Sequence, residues 1–339
     1  MRSATYDGSA DDTGAATEVS TALFRKLGQA NIGLVVTGHA FIDRSGQAGP
    51  GQYGIHNDEM IPGLSRIAKA VHEGGGKAAV QISHAGINSN YLQAHGLTAL
   101  AVSATPEAKQ PHREMTEEDI EKLIECFVAA ARRAVQAGFD AVQLHAAHGY
   151  LMSQFLSPLT NQREDKWGGN PEKRRRFHLE VIQRIRKSLG SRITLMAKFG
   201  VKDDIENGLT LEDGLEAARQ MTSAGVDAIE VSGGLGLASV VKGVGYFRDR
   251  AAAVKRAVTV PVAVVGGIRN LDIVHSILEN GDADIISMSR PFIREPDLLV
   301  RWQQDDRKPS TCISCSRCLV TTRRGSSLQC GREPHSAKV

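Results

Sequence analysis

The chain has 339 residues, with 41 Lys and Arg against 38 Asp and Glu and a formal net charge of +3. That length suits one large α/β barrel or two modest domains, and the small charge, with no basic run interleaved with aromatics, excludes a nucleic-acid footprint. No apolar stretch reaches transmembrane length and the N-terminus has no signal-peptide core, so a cytoplasmic protein without membrane association is expected.

In chain order, short β-branched runs alternate with longer amphipathic segments. The predicted strands are Gly33–Gly38, Lys77–Ser83, Asp140–His145, Ile193–Phe199, Asp227–Ser232, Val260–Val265 and Asp284–Met288, and Met1–Thr5 is the candidate for an eighth. The predicted helices are Asp58–Gly74, Thr116–Ala137, Glu172–Leu189, Leu211–Ala224, Asp249–Ala257 and Leu271–Glu279. Thr116 and Thr210 are candidate N-caps, each followed by acidic residues. The phrases around Gly138, Gly225 and Gly281 read as left-handed helix ends feeding the next strand. Eight β/α units without a linker predict an α/β fold of the (β/α)8 TIM-barrel class, residues 1–305, followed by a cysteine-rich tail, residues 306–339. Cys126, among Leu123, Phe127 and Ala130, reads as a small core residue, and Lys173–Arg176 as a solvated helix face.

In such a barrel the carboxyl ends of the strands line one site. Those ends read Thr37-Gly38-His39, Gln81-Ile82-Ser83-His84, His145 with His148, Lys198, Ser232-Gly233-Gly234, Gly266-Gly267 and Ser289-Arg290, a polar set on otherwise apolar strands. Gly266-Gly267 offers bare amides, and with Ser289 and Arg290 one unit later it reads as a phosphate site. Lys198 is open to two readings: a fixed positive charge where negative charge develops on a ring, or a Schiff-base amine. His145 and His148 could converge on one carbonyl oxygen, or could be satisfied structural histidines.

The run His145-Ala146-Ala147-His148-Gly149-Tyr150, continuing through Gln154-Phe155-Leu156-Ser157-Pro158 to Asn161, Arg163, Asp165 and Trp167-Gly168-Gly169, resembles the old yellow enzymes, the NADH:flavin oxidoreductases. The likeness covers essentially residues 2–300. It implies FMN held non-covalently at the carboxyl face, with NADH or NADPH as reductant and an α,β-unsaturated carbonyl or dienoyl compound as the small-molecule substrate. By motif position Gln81 meets the pyrimidine edge, Lys198 sits near N1 and the C2 carbonyl, and Gly38 offers backbone at the C4 side. Gly233, Gly266, Gly267, Ser289 and Arg290 complete the cofactor set, the last three at the phosphate. His145 and His148 then bind the substrate oxygen. Relatives often use a tyrosine as proton donor, for which Tyr150 and Tyr6 are the candidates. Thr5 and Tyr6 fall where relatives carry a residue that tunes flavin N5. Trp167 replaces the usual Tyr, and Lys173 replaces an Asn. Relatives also carry further residues ahead of the position of Met1, so a first strand entered midway, with an exposed barrel edge, is expected.

Cys312-x2-Cys315-x2-Cys318-x11-Cys330 suits a metal centre. It resembles the iron–sulfur motif of the dienoyl-CoA reductase and trimethylamine dehydrogenase branch. The resemblance implies a [4Fe–4S] cluster, with structural zinc as the rival and a redox partner protein as an electron source; self-association is left open.

Overall fold

Small or β-branched apolar residues at every second strand position build the interior from the bottom upward. Val36, Ala79, Ala141, Met196 and Ala228 pack on one another as a cluster separate from the large core between strands and helices. The computed structural model describes residues 1–105, 108, 110–236, 243–323 and 325–331. Among these, nine strands form: β1 (Leu34–Phe41), β2 (Lys77–Ser83), β3 (Ala99–Ala101), β4 (His112–Glu114), β5 (Ala141–Ala146), β6 (Thr194–Gly200), β7 (Ala228–Ser232), β8 (Val262–Val264) and β9 (Ile285–Ile286). Seven of them make one parallel sheet in the order β1-β2-β5-β6-β7-β8-β9, while β3 and β4 pair separately.

The sheet closes through the N-terminal residues. Arg2 bridges Val35 on one side and Met288 on the other, both in parallel sense. The Arg2 and Ser3 amides donate to Leu34 O (2.8 Å) and Met288 O (2.9 Å). The exposed edge expected at this point is therefore absent: a short bridged segment fills it, and Arg2 is only 2% exposed. The result is the predicted barrel.

Helices cover the outside. Thr116 and Asp119 form a capping box at the start of Glu117–Gln136, and Thr210 accepts from the Asp213 amide ahead of Leu211–Ala224. The predicted helix from Asp58 begins as a 3-10 turn over Asp58–Met60 before Ile61–His72, because Pro62 suits the first turn of the α-helix. Two expectations are corrected. Arg174 and Arg175 are buried, not solvated: Arg174 donates to Leu156 O and Gly169 O, each at 3.1 Å, and so ties the helix Pro171–Leu189 to the loop before it. Cys126 is half-buried and packs against the core from its edge.

Candidate active site

Two positions beyond the small apolar layer, the inward phase of four strands carries Gln81, Gln143, Lys198 and Glu230, all 3% exposed or less. They are one hydrogen-bonded assembly. Gln81 Nε2 donates to Gln143 Oε1 (2.7 Å), and Gln143 Nε2 donates to Glu230 Oε2 (2.9 Å). The other oxygen, Glu230 Oε1, accepts from Lys198 Nζ (3.3 Å), Ser3 Oγ (2.6 Å) and Ser287 Oγ (2.7 Å). Burial alone would raise the Glu230 pKa, but the Lys198 charge and these donors outweigh it and hold the carboxyl below its ordinary value. Lys198 also donates to Ser3 Oγ at 2.6 Å, so the closing segment of the barrel forms part of the site.

Two positions further out come Ser83, His145, Gly200 and Ser232. The chain then leaves β5 through His148 (φ +61°) and Gly149 (φ +73°), a left-handed pair that turns sharply. This turn is pinned by the His148 amide to Gly233 O (2.9 Å) and by a contact of His148 Nε2 with Ser232 Oγ (2.7 Å). The His145 and His148 ring centroids lie 5.2 Å apart, and Tyr150 is 5.0 Å from His145. His145 Nδ1 is buried without a hydrogen-bond partner among the described residues. His148 is exposed at the mouth, with its ring against that of His145 and its Nε2 at Ser232. Desolvation, then like charge, lowers both histidines: from His148, His39 and Lys198 at His145, and from Lys198 and His39 at His148. Both rings are therefore neutral N–H donors near neutral pH.

The sequence places His39 in the polar set at the strand ends but assigns it no role. The β1–β2 register slips between Val36 and His39, a bulge that brings His39 opposite Gln81. Its ring lies 5.8 Å from His145, 5.3 Å from Tyr150 and, stacked, 5.5 Å from Tyr6. Its Nδ1 faces the Gln52 amide at 2.7 Å, and desolvation lowers its pKa to about 4. Tyr6 bonds Pro50 O, and Thr5 Oγ1 meets Ser289 Oγ at 2.7 Å. A Cβ on Gly38 would lie 2.9 Å from Thr5 O, so only glycine permits that approach.

At the far side, Gly266 (φ +124°) and Gly267 (φ +69°) donate their amides to no acceptor among the described residues. Tyr246 covers both glycines, and Arg290 Nη2 meets Tyr246 Oη at 3.4 Å. Arg290 also donates to Ser314 O and Ser316 Oγ, each at 3.2 Å, so this guanidinium joins the predicted phosphate corner to the cysteine segment. Cys312, Cys315, Cys318 and Cys330 line one small cavity with Arg290 and Arg294. Ser314 and Ser316 hold φ near +58° and +57°, which turns the backbone between the thiols. No group of three His, Cys, Asp or Glu side chains placed to hold a metal ion occurs among the described residues.

The arrangement fits a planar, phosphorylated heterocycle. Free amides and a guanidinium stand at one end, an amide and an ammonium at the polar edge, and imidazoles above. The profile of the NADH:flavin oxidoreductase / NADH oxidase family matches residues 1–308, and the chain belongs to that family. It is 35% identical to an NADH oxidase of Thermoanaerobacter brockii, over 84% of this chain and 45% of that protein. Identity to a metal reductase of Desulforamulus reducens is 34%, over 94% of this chain and 48% of that one. An NADPH dehydrogenase of Geobacillus sp. strain WCH70 is 35% identical over 80% of this chain and 78% of its own length. Among solved structures, 2-naphthoyl-CoA reductase superposes with a TM-score of 0.91 at 27% identity, covering 97% of this chain and 54% of that chain. Histamine dehydrogenase from Rhizobium sp. 4-9 superposes with a TM-score of 0.85 at 26% identity, over 97% of this chain and 49% of that one. The chain thus spans about half the length of the NADH oxidase, the metal reductase and both of these structures. No helix among the described residues is long and apolar enough to cross a membrane.

Proposed function

We propose that the chain is an FMN-dependent oxidoreductase that passes reducing equivalents from NADH or NADPH to an activated C=C bond of an α,β-unsaturated carbonyl or dienoyl compound. The observation that carries this reading is the stacking of two layers. The rings of His145, His148 and Tyr150 stand directly beyond the Gln81–Gln143–Glu230–Lys198 assembly. FMN bound there supplies hydride chemistry at its N5.

Gln81, Lys198 and Gly38 would hold the ring system, Thr5 and Tyr6 its reactive edge, and Gly233 the wall beside His148. Gly266, Gly267, Ser289 and Arg290 would hold the phosphate. Above the ring, His145 and His148 donate N–H groups to the substrate carbonyl oxygen. This withdraws electron density from the conjugated double bond and makes its β-carbon electrophilic. Tyr150, 5.0 Å from the His145 ring, would give a proton to the α-carbon. Lys198, ion-paired with Glu230 and bonded to Ser3, is a fixed cation in this arrangement and not a free amine, which disfavours the Schiff-base reading.

For the tail we propose a [4Fe–4S] cluster on Cys312, Cys315, Cys318 and Cys330, with Zn²⁺ as the alternative, since four thiols share one cavity. Such a centre would let a redox partner protein serve as an electron source. The test is anaerobic purification, iron and zinc analysis, then FMN loading and reduction by NADH or NADPH. Bleaching of the flavin colour followed by its return on adding cyclohexenone is the expected result. Failure to bind FMN, or reduced flavin that no enone reoxidises, refutes the oxidoreductase reading, and zinc without iron refutes the cluster.

A further inference from the structure

Glu230 lies at the centre of the polar layer, is fully buried, and is held by Gln143, Lys198, Ser3 and Ser287. We propose that it is a positioning residue that sets the polarity of the whole layer, fixing which atom Gln81 offers to the flavin and how strongly the Lys198 charge acts on it. The inference rests on the FMN reading above.

An ionised carboxylate only accepts hydrogen bonds. Glu230 Oε2 faces Gln143 at 2.9 Å, so Gln143 must turn its amide nitrogen toward it. The Gln143 oxygen then faces Gln81 and demands the Gln81 nitrogen, as found at 2.7 Å. Gln81 is left with its carbonyl oxygen, which makes no hydrogen bond among the described residues and is the acceptor that a ring N–H requires. A neutral amide in place of Glu230 would reverse this constraint, because the Lys198 ammonium would claim its single oxygen and its amide nitrogen would face Gln143, inverting both glutamines. On its other oxygen, Glu230 meets Lys198 Nζ at 3.3 Å and Ser3 and Ser287 at 2.6 and 2.7 Å. It both anchors the ammonium and offsets part of its field. Glu230 thus weakens the preference of the site for a reduced, anionic flavin while keeping the pyrimidine edge in register.

The experiment measures FMN dissociation constants and midpoint potentials on the full chain, without reference to turnover. Glu230→Gln is expected to weaken oxidised FMN binding about tenfold. It should also favour the reduced form over the oxidised by about tenfold relative to the parent, about 30 mV more positive for the two-electron couple. Glu230→Asp, which keeps the charge, should restore the parent potential. Gln143→Leu cuts the relay but leaves the Lys198 pair, so affinity should fall while the potential stays. A potential unmoved by Glu230→Gln overturns the proposal, whatever happens to affinity. If Glu230→Gln does not fold, unchanged FMN affinity in Gln143→Leu overturns it. A parent chain that binds no FMN refutes the functional reading itself, an outcome distinct from either of these.

Discussion

Replacing Lys198 by Met leaves a buried carboxylate without its cation. The Lys198 side chain is 4% exposed, Glu230 is wholly inaccessible, and the charged atoms stand 3.3 Å apart. At that distance an effective dielectric of about 20 gives an attraction of about 5 kcal/mol. Removing one partner of a buried pair costs about 3–5 kcal/mol. Glu230 retains Ser3, Ser287 and Gln143 as donors, so the lower end, about 3 kcal/mol, is expected for Lys198→Met. For a chain of this size, at about 2.1 cal/mol/K of unfolding entropy per residue, that is a fall in Tm of about 4 °C. In the parent, the depressed Glu230 pKa contributes stability above the ordinary carboxylate pKa that is lost as pH falls through the folded value. In Lys198→Met the sign reverses. Glu230, now raised, is relieved by protonation, so the loss is greater at alkaline than at mildly acidic pH. The double variant Lys198→Met/Glu230→Gln buries no charge and should recover about 2 kcal/mol of the loss. Thermal unfolding of the cofactor-free chain at two pH values measures all of this. A double variant no more stable than Lys198→Met, with no dependence on pH, would refute the argument.

Other expectations concern the mouth, the phosphate corner and acid stability. His145→Ala with His148→Ala should slow oxidation of the reduced protein by an enone by about 100-fold or more in stopped-flow mixing, while reduction by NADH or NADPH is spared. Equal slowing of both halves would count against a substrate role for the pair. Gly267→Ala introduces a Cβ 2.5 Å from Gly243 O at φ +69°, so FMN affinity should fall and Tm should drop by a few degrees. Retained tight binding would remove Gly267 from the phosphate site. His178 is buried with both ring nitrogens unpartnered, and desolvation lowers its pKa to about 3. The unfolded chain therefore takes up a proton there first, and stability falls as pH drops from about 6.5 toward 3. His178→Leu should flatten that acid limb in urea titrations, and an unchanged slope would show that the ring is not buried neutral.

Much of this architecture was legible because a parallel barrel writes itself as repeated apolar run, capped helix and glycine. The candidate site was half legible. Gln81 and Lys198 stood out, yet Gln143 and Glu230 occupy the same inward phase, each two residues before a polar strand end at His145 or Ser232. Strands buried on both faces show no in–out alternation to expose that phase, and only their polar ends stand out. Counting back two positions would have found both residues. His39 stood in the polar set at the strand ends, but its approach to His145 was not readable: the bulge at Thr37-Gly38 reverses its facing, and bulges leave no fixed signature. The engagement of Arg290 with Ser314 and Ser316 depends on where the tail docks, which no local pattern encodes.

Ser3 belongs both to the seam that shuts the cylinder and to the chain of bonds at its heart, through Met288 O on one side and Glu230 and Lys198 on the other. A slip of one residue along that seam would turn its hydroxyl outward and leave Lys198 and Glu230 short of their shared bridge. Closing the last wall thus completes the chamber: without Ser3, Lys198 and Glu230 keep only their direct contact, and Glu230 loses one of its hydroxyl donors.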